Sequence, residues 1–385
     1  MRPNLFSADS PGVLAPTVSG TMAFVPNPAP RQLPLSGAVV RALARAQHSL
    51  GAVGGAAGRL VNPFLVSSSL LRQEALLSSR IEGTIATPEQ LALFELDIEQ
   101  PTPDAREIGN FVRATEFALT RLAEGAVIAG PLLRAAHRLL MTDVRGDRER
   151  PGEYRDAQNF IGATTDIREA RFVPPPHLRV PGLLADLERY LHDEEPEVPD
   201  LVRVAIAHYQ FEAIHPFRDG NGRIGRLLIV LLLVRDGLLP GPFLPISSAF
   251  ERRRKAYADH LLRVSTHGDW EGWLLFFLES VDEAALLALR QIDALAKLRA
   301  EWHGRFQSAR SSALLLKLVD SLFQRPAITI ARAGEILQVT PASASASLGK
   351  LAAAGILTEI TGRTRNRIYV ARELLAVIGT SGERR

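Results

Sequence analysis

From Leu227 to Val234 every residue is leucine, isoleucine or valine, and this run constrains the fold more than any other feature of the chain. Eight such residues in succession fit a helix that is apolar all round, which belongs at the centre of a domain. The run is far shorter than the ~20 residues that a membrane span requires. Directly before it stands His215-Pro216-Phe217-Arg218-Asp219-Gly220-Asn221-Gly222-Arg223-Ile224-Gly225-Arg226. A glycine-rich loop feeding a buried helix places its polar groups at that helix's N-terminus. Arg223 and Arg226, at i and i+3, share a face. Cations there oppose the macrodipole by roughly 0.3–1 kcal/mol each, whereas the free N–H groups of the first turn favour an anion. A bound anion reconciles the two, so the segment reads as a phosphate site.

The neighbouring residues supply chemistry to that anion. His215 precedes a proline, which pushes it out of helical geometry onto the loop, and histidine accepts a proton near neutral pH. Asp219 is a hard oxygen ligand suited to a Mg²⁺ that bridges phosphate oxygens. Gly220 and Gly222 let the backbone approach closely, and Asn221 tolerates strained turn geometry. Together these describe phosphoryl or nucleotidyl transfer. The same letters spell GxGxxG from Gly220 to Gly225. That fingerprint needs a preceding strand and an acid about 20 residues on, but Leu201 to Ile214 carries helical spacing and no acid stands in a βαβ context. The dinucleotide reading is rejected, and no P-loop pattern occurs.

The dozen residues fit HxFx[DE]GNGRxxR at every specified position, and the chain resembles the Fic family. The resemblance implies transfer of AMP from ATP to a Ser, Thr or Tyr hydroxyl of a target protein, and of the chain itself, with release of pyrophosphate. By position, His215 would deprotonate the attacking hydroxyl and Asp219 would hold Mg²⁺. Gly220, Asn221, Gly222 and the neighbouring amides up to Gly225 would cradle the ATP phosphates, and Arg223 and Arg226 would bind the β- and γ-phosphates. Relatives that transfer a simple phosphate carry a lysine where this chain has Gly222, which favours AMP. A second stretch, Ser78 to Gly83, fits [ST]xxxE[GN], the family's inhibitory signature. Physically, Leu65 to Ile81 is expected to be an amphipathic helix closed by Gly83. Glu82 then faces the negative end of the dipole and needs a cation. The resemblance names Arg226, so Ser78, Glu82 and Gly83 would form a built-in brake that occupies the γ-phosphate position. Residues 160–176 lack helical periodicity and would be a hairpin flap that docks the target by β-augmentation. Tyr257 resembles a tyrosine that lines the nucleotide pocket, although the family often has two adjacent tyrosines and here Ala256 precedes it.

Composition bounds the rest. The 385 residues include no cysteine, which excludes disulfides and thiol catalysis and suits a cytoplasmic protein; no secretory pattern opens the chain. Lysine occurs only at Lys255, Lys297, Lys317 and Lys350, and the net charge is +3, so charge alone marks no nucleic-acid partner. The expected fold is mainly α, with a Fic-type helical core, a small hairpin flap and a C-terminal winged helix-turn-helix domain. Residues 1–100 would form an arm and the helical segment bearing the brake, 101–305 the catalytic core and 309–378 the winged helix. In the last, helices at Ser312 to Phe323, Ala331 to Gln338 and Ala342 to Ala354 precede strands at Ile356 to Ile360 and Arg367 to Val370. Arg363, Arg365 and Arg367 on the wing suit phosphates, while the serines and Lys350 of the third helix suit modest DNA readout. DNA binding, or a docking surface for homodimerisation or target choice, are the uses open to this domain. Two rival functions stay open: another nucleotide transfer or AMP removal at the same site, and a nucleotide-sensing transcription regulator.

Overall fold

The computed structural model describes residues 3–96, 102–144, 150–193, 197–306 and 312–379. It is mostly helical. In chain order the elements are β1 (Gly12–Pro16), β2 (Met22–Pro26), α1 (Gly37–Gly58), α2 (Pro63–Ile81), α3 (Pro88–Phe94), α4 (Pro103–Ala123), α5 (Gly130–Leu140), α6 (Val180–Leu191), α7 (Asp200–Ile214) and α8 (Asn221–Arg235). They continue with α9 (Ser247–Arg252), α10 (Arg254–His267), α11 (Trp270–Gly304), α12 (Ser312–Gln324), β3 (Ala327–Thr329), α13 (Ile330–Leu337), α14 (Pro341–Ala353), β4 (Thr358–Glu359), β5 (Ile368–Val370) and α15 (Arg372–Ile378). The chain divides into two compact units, one made of residues 1–51, 110–238 and 249–283, the other of 52–109, 239–248 and 284–385.

The first unit is organised around α7 and α8. Every α8 residue from Arg223 to Leu233 is buried, as is nearly all of α7. This is the burial on all faces that an uninterrupted apolar run demands, and each fully buried leucine or isoleucine contributes about 1.5–3 kcal/mol. Trp273 closes one side, its indole N–H donating to Ala205 O at 3.0 Å inside the core. The N-terminal stretch, expected as an arm, is a hairpin paired with itself. β1 and β2 form an antiparallel ladder from Gly12↔Pro26 to Pro16↔Met22, because Phe24 and Val25 have a core to enter. The Phe24 N–H donates to Val173 O at 2.9 Å, so β2 braces the 160–176 segment. There Ile161 and Phe172 make an antiparallel bridge. Phe172 and Val173 bury with Ala23 and Phe24.

In the second unit α2 starts at Pro63 behind the N-cap Asn62, whose side chain accepts the Phe64 N–H. The expected amphipathic character is not found: residues from Leu65 to Ser79 are all buried. Serines read as a polar face are small enough to pack, and their hydroxyls return to carbonyls, as when Ser69 Oγ donates to Phe323 O at 3.3 Å. Glu74 is buried and accepts both the backbone N–H (2.9 Å) and the hydroxyl of Ser247. Arg72 pairs with Glu95 at 2.8 Å. The C-terminal segment is three helices, α12 to α14, against a sheet of order β3-β5-β4. Strands β4 and β5 fall where two strands are expected, while β3 and α15 are additions that their brevity hid. No helix among the described residues is long and apolar enough to cross a membrane.

Candidate active site

The loop between α7 and α8 is shaped by two left-handed residues. His215 caps α7 at φ 51°, ψ 61°, its N–H donating to Phe211 O at 2.9 Å. Gly220 caps the start of α8 at φ 75°. A Cβ there would also stand 3.0 Å from Met141 Sδ, so glycine is required twice over. Asn221 was expected to absorb turn strain, but it is the first helical residue and does something else. Its Oδ1 accepts the Phe217 N–H and its Nδ2 donates to Phe217 O, both at 2.8 Å. That double clasp turns the loop back on itself and fixes Phe217, which is wholly buried.

Three residues outside the motif hold the loop from behind. His137 of α5 stacks on Phe217 with centroids 3.9 Å apart and planes 5° from parallel. Its Nδ1 accepts the Gly152 N–H at 2.8 Å, so the ring hydrogen sits on Nε2, which donates to Asp219 O at 3.0 Å. Burial lowers its pKa to about 4, and the neutral tautomer is the one these bonds need. Arg155 is buried and fans over four carbonyls, with Nε donating to His215 O at 2.9 Å and the other nitrogens to Ala157 O, Pro175 O and Ile214 O. Its own N–H donates to Pro216 O at 2.9 Å. Burial brings its pKa down to about 10, so it stays charged at neutral pH. Asn159 donates to Phe217 O at 3.0 Å. Arg155 and Asn159 precede the 160–176 segment, so the same contacts hold that segment beside His215.

The structure brings His215, Asp219, Gly220, Asn221, Gly222, Arg223, Gly225 and Arg226 together at the N-terminus of α8. No side chain caps that helix, which leaves its first-turn amides for an anion. Arg223 and Arg226 are 2% and 1% exposed; buried guanidinium groups at a positive helix end suit an anionic partner. Arg223 lies 3.8 Å from Asp219. Asp219 is the loop's own acid and half exposed. Among the described residues no three His, Asp or Glu cluster as a metal cage. One open carboxylate is nevertheless enough for Mg²⁺ that arrives with phosphate oxygens, so Asp219 fits that role. Gly225 serves packing: a Cβ would come 2.2 Å from Glu212 Oε1, and its absence lets α7 and α8 close.

Tyr257, expected at the nucleotide pocket, is buried in an aromatic stack, 4.5 Å from Phe250 between centroids. Its OH lies 2.7 Å from His208 Nε2, and His208 Nδ1 lies 3.0 Å from Gly225 O. Tyr257 thus reaches α8 through His208, which the sequence hides as one polar letter in an apolar helix. Ser78, Glu82 and Gly83 lie in the second unit. Ser78 is buried and Glu82 is exposed as the C-cap of α2. Gly83 adopts φ 92°. Its N–H donates to Arg80 O and that of Thr84 to Ser79 O, a Schellman closure.

Comparison with known proteins matches residues 130–233 to the Fic/DOC family and residues 40–120 to the Fic/DOC family N-terminal region. A protein adenylyltransferase of Caenorhabditis briggsae is 39% identical over 107 residues, 28% of this chain and 20% of that protein. A probable protein adenylyltransferase of Aquifex aeolicus is 42% identical over 87 residues, 22% of this chain and 24% of that protein. The chain therefore spans about a quarter or less of these relatives' length. In fold, a Fic family protein from Desulfovibrio desulfuricans superposes with TM-score 0.57 at 22% identity, covering 93% of this chain and 100% of that one. A Caenorhabditis elegans Fic protein gives 0.51 at 22% identity, covering 68% and 74%.

Proposed function

The chain belongs to the Fic/DOC family, and from that premise we propose that it is a protein adenylyltransferase, moving AMP from ATP to a hydroxyl of a target protein. The observation that carries this is the loop itself: a left-handed histidine, an open carboxylate and two buried arginines around an uncapped helix start. In this reading the α8 amides and Arg223 hold the phosphates, and Arg226 takes the γ-phosphate. Mg²⁺ held at Asp219 would neutralise charge that develops on the phosphate oxygens. The target's hydroxyl oxygen bonds to the α-phosphorus, the bond from that phosphorus to the bridging oxygen breaks, and pyrophosphate leaves. The hydroxyl proton goes to the His215 imidazole. The side chains of Asn221, His137 and Arg155 bond to the loop itself and keep His215 and Asp219 in register. Residues 160–176 would offer backbone to the target, and Glu82, exposed at its helix end, would restrain the enzyme by pairing with Arg226. The order of elements from α12 to β5 supports a winged helix. On it Arg363 and Arg365 are exposed and Arg367 donates to Ser345 Oγ at 3.0 Å; any DNA contact would draw on these arginines.

The test is self-labelling of the full chain with ATP carrying its label on either the α- or the γ-phosphate. Label retained from the α position alone supports AMP transfer. Label from the γ position means phosphate transfer and contradicts the proposal.

A further inference from the structure

We propose that a cleft in the second unit, between the start of α2 and the α12–β3–α13 segment, binds a small anion with an apolar body, of the chemistry and size of a mononucleotide. The cleft has a volume of about 340 Å³, inside the ~300–1,000 Å³ range of ligand sites. The partly exposed Ile336 contributes apolar surface above the buried Leu65, Ala327 and Ile328, and Lys317, Arg325 and Arg332 contribute cations. Lys317 and Arg325 form no ion pair with any described residue, and Arg332 is held only by the exposed Glu335. The one acid of the lining, Asp320, is already answered by Arg299 at 2.7 and 2.9 Å and by His303 at 2.7 Å. Three cations thus line a recess whose own carboxylate is already paired. An inorganic ion would leave the apolar lining wet, whereas a planar base would cover it while its phosphate met the cations. A recess suits a free small molecule better than the rod of a DNA duplex.

The position has a consequence for α2. Asn62, its N-cap, and Leu65 line the cleft, and Ser69 donates to Phe323 O one turn further on. A ligand there would tie the start of α2 to the C-terminal segment. If Glu82 is the brake, as proposed above, occupancy bears on the helix that carries it.

The experiment uses the full chain, photo-crosslinked with azido-AMP and mapped by peptide mass spectrometry, so that it needs no catalytic activity. The expected result is label on peptides within residues 317–336, falling about tenfold in Lys317→Glu/Arg325→Glu, as loss of charged contacts implies. Both side chains are exposed, so an unchanged melting curve checks that the variant is folded. Label confined to 215–226, label nowhere, or cleft label that survives charge reversal would each overturn the site. Competition by inorganic phosphate as effective as by AMP would overturn the apolar half of the ligand. Displacement by duplex DNA at lower concentration than by AMP would assign the cleft to nucleic acid instead. Amide exchange in α2 should slow with AMP in the wild type and not in the double variant; unchanged exchange in both would overturn the bracing of α2. Cleft label without label at 215–226 would keep this site and count against the proposed activity.

Discussion

His208 is fully buried and its pKa is lowered to about 3 by desolvation, so it is neutral at any working pH. A carbonyl can only accept, so Nδ1 carries the hydrogen toward Gly225 O and Nε2 accepts from the Tyr257 hydroxyl. Tyr257→Phe would keep the ring stack but leave a buried nitrogen without its donor. It should cost about 1–3 kcal/mol in denaturant unfolding; a change inside experimental error would mean that the hydroxyl bond does not stabilise α8. His137 and His208 also set an acid limit. Both folded pKa values lie below the unfolded value of about 6.5. Below 6.5 the unfolded chain binds protons that the folded chain refuses, so stability is full above 6.5 and falls as pH drops toward 4. Each contributes a slope of about 1.4 kcal/mol per pH unit in that window. Chemical unfolding at pH 7, 6 and 5 should show this, and His137→Phe should remove its share, about 1.4 kcal/mol per pH unit, leaving that of His208. The residues proposed to react are legible as a group because a loop concentrates them between two apolar helices. Those that hold them are not: His137, Arg155 and His208 lie 17 to 82 positions from these partners, and only the fold reveals what they meet.

At the scale of elements, α2 and α8 show where pattern succeeds and where it misleads. An all-apolar run has one solution, and α8 takes it. The end of α2 was also readable, since Gly83 at φ 92° is the residue a left-handed closure selects. Its buried faces were not, because serine reads as polar in a hydropathy pattern although its hydroxyl can return to the helix. The contact between α3 and α4 turns on a single missing atom: a Cβ on Gly109 would fall 2.0 Å from the Phe94 ring. Gly109→Ala should therefore destabilise by about 1–3 kcal/mol through overpacking, read as a lowered melting temperature. A variant as stable as wild type would show that α3 can move away freely.

For the whole molecule, a mainly helical fold followed from the periodicity, and short strands were the chief omissions. β3 has three residues and β1–β2 sits in a Pro- and Gly-rich stretch, so each needs a partner before it is recognisable as a strand. Phe24 supplies that partner for the 160–176 segment through its N–H to Val173. In the proposed function His215 drives AMP transfer under restraint by Glu82. The most direct measurement is incorporation of α-labelled AMP from ATP and Mg²⁺ by wild type, Glu82→Gly and His215→Ala side by side. The expected result is weak label in the wild type, strong label in Glu82→Gly and none in His215→Ala. Label in His215→Ala equal to the wild type, or no gain in Glu82→Gly, would contradict it.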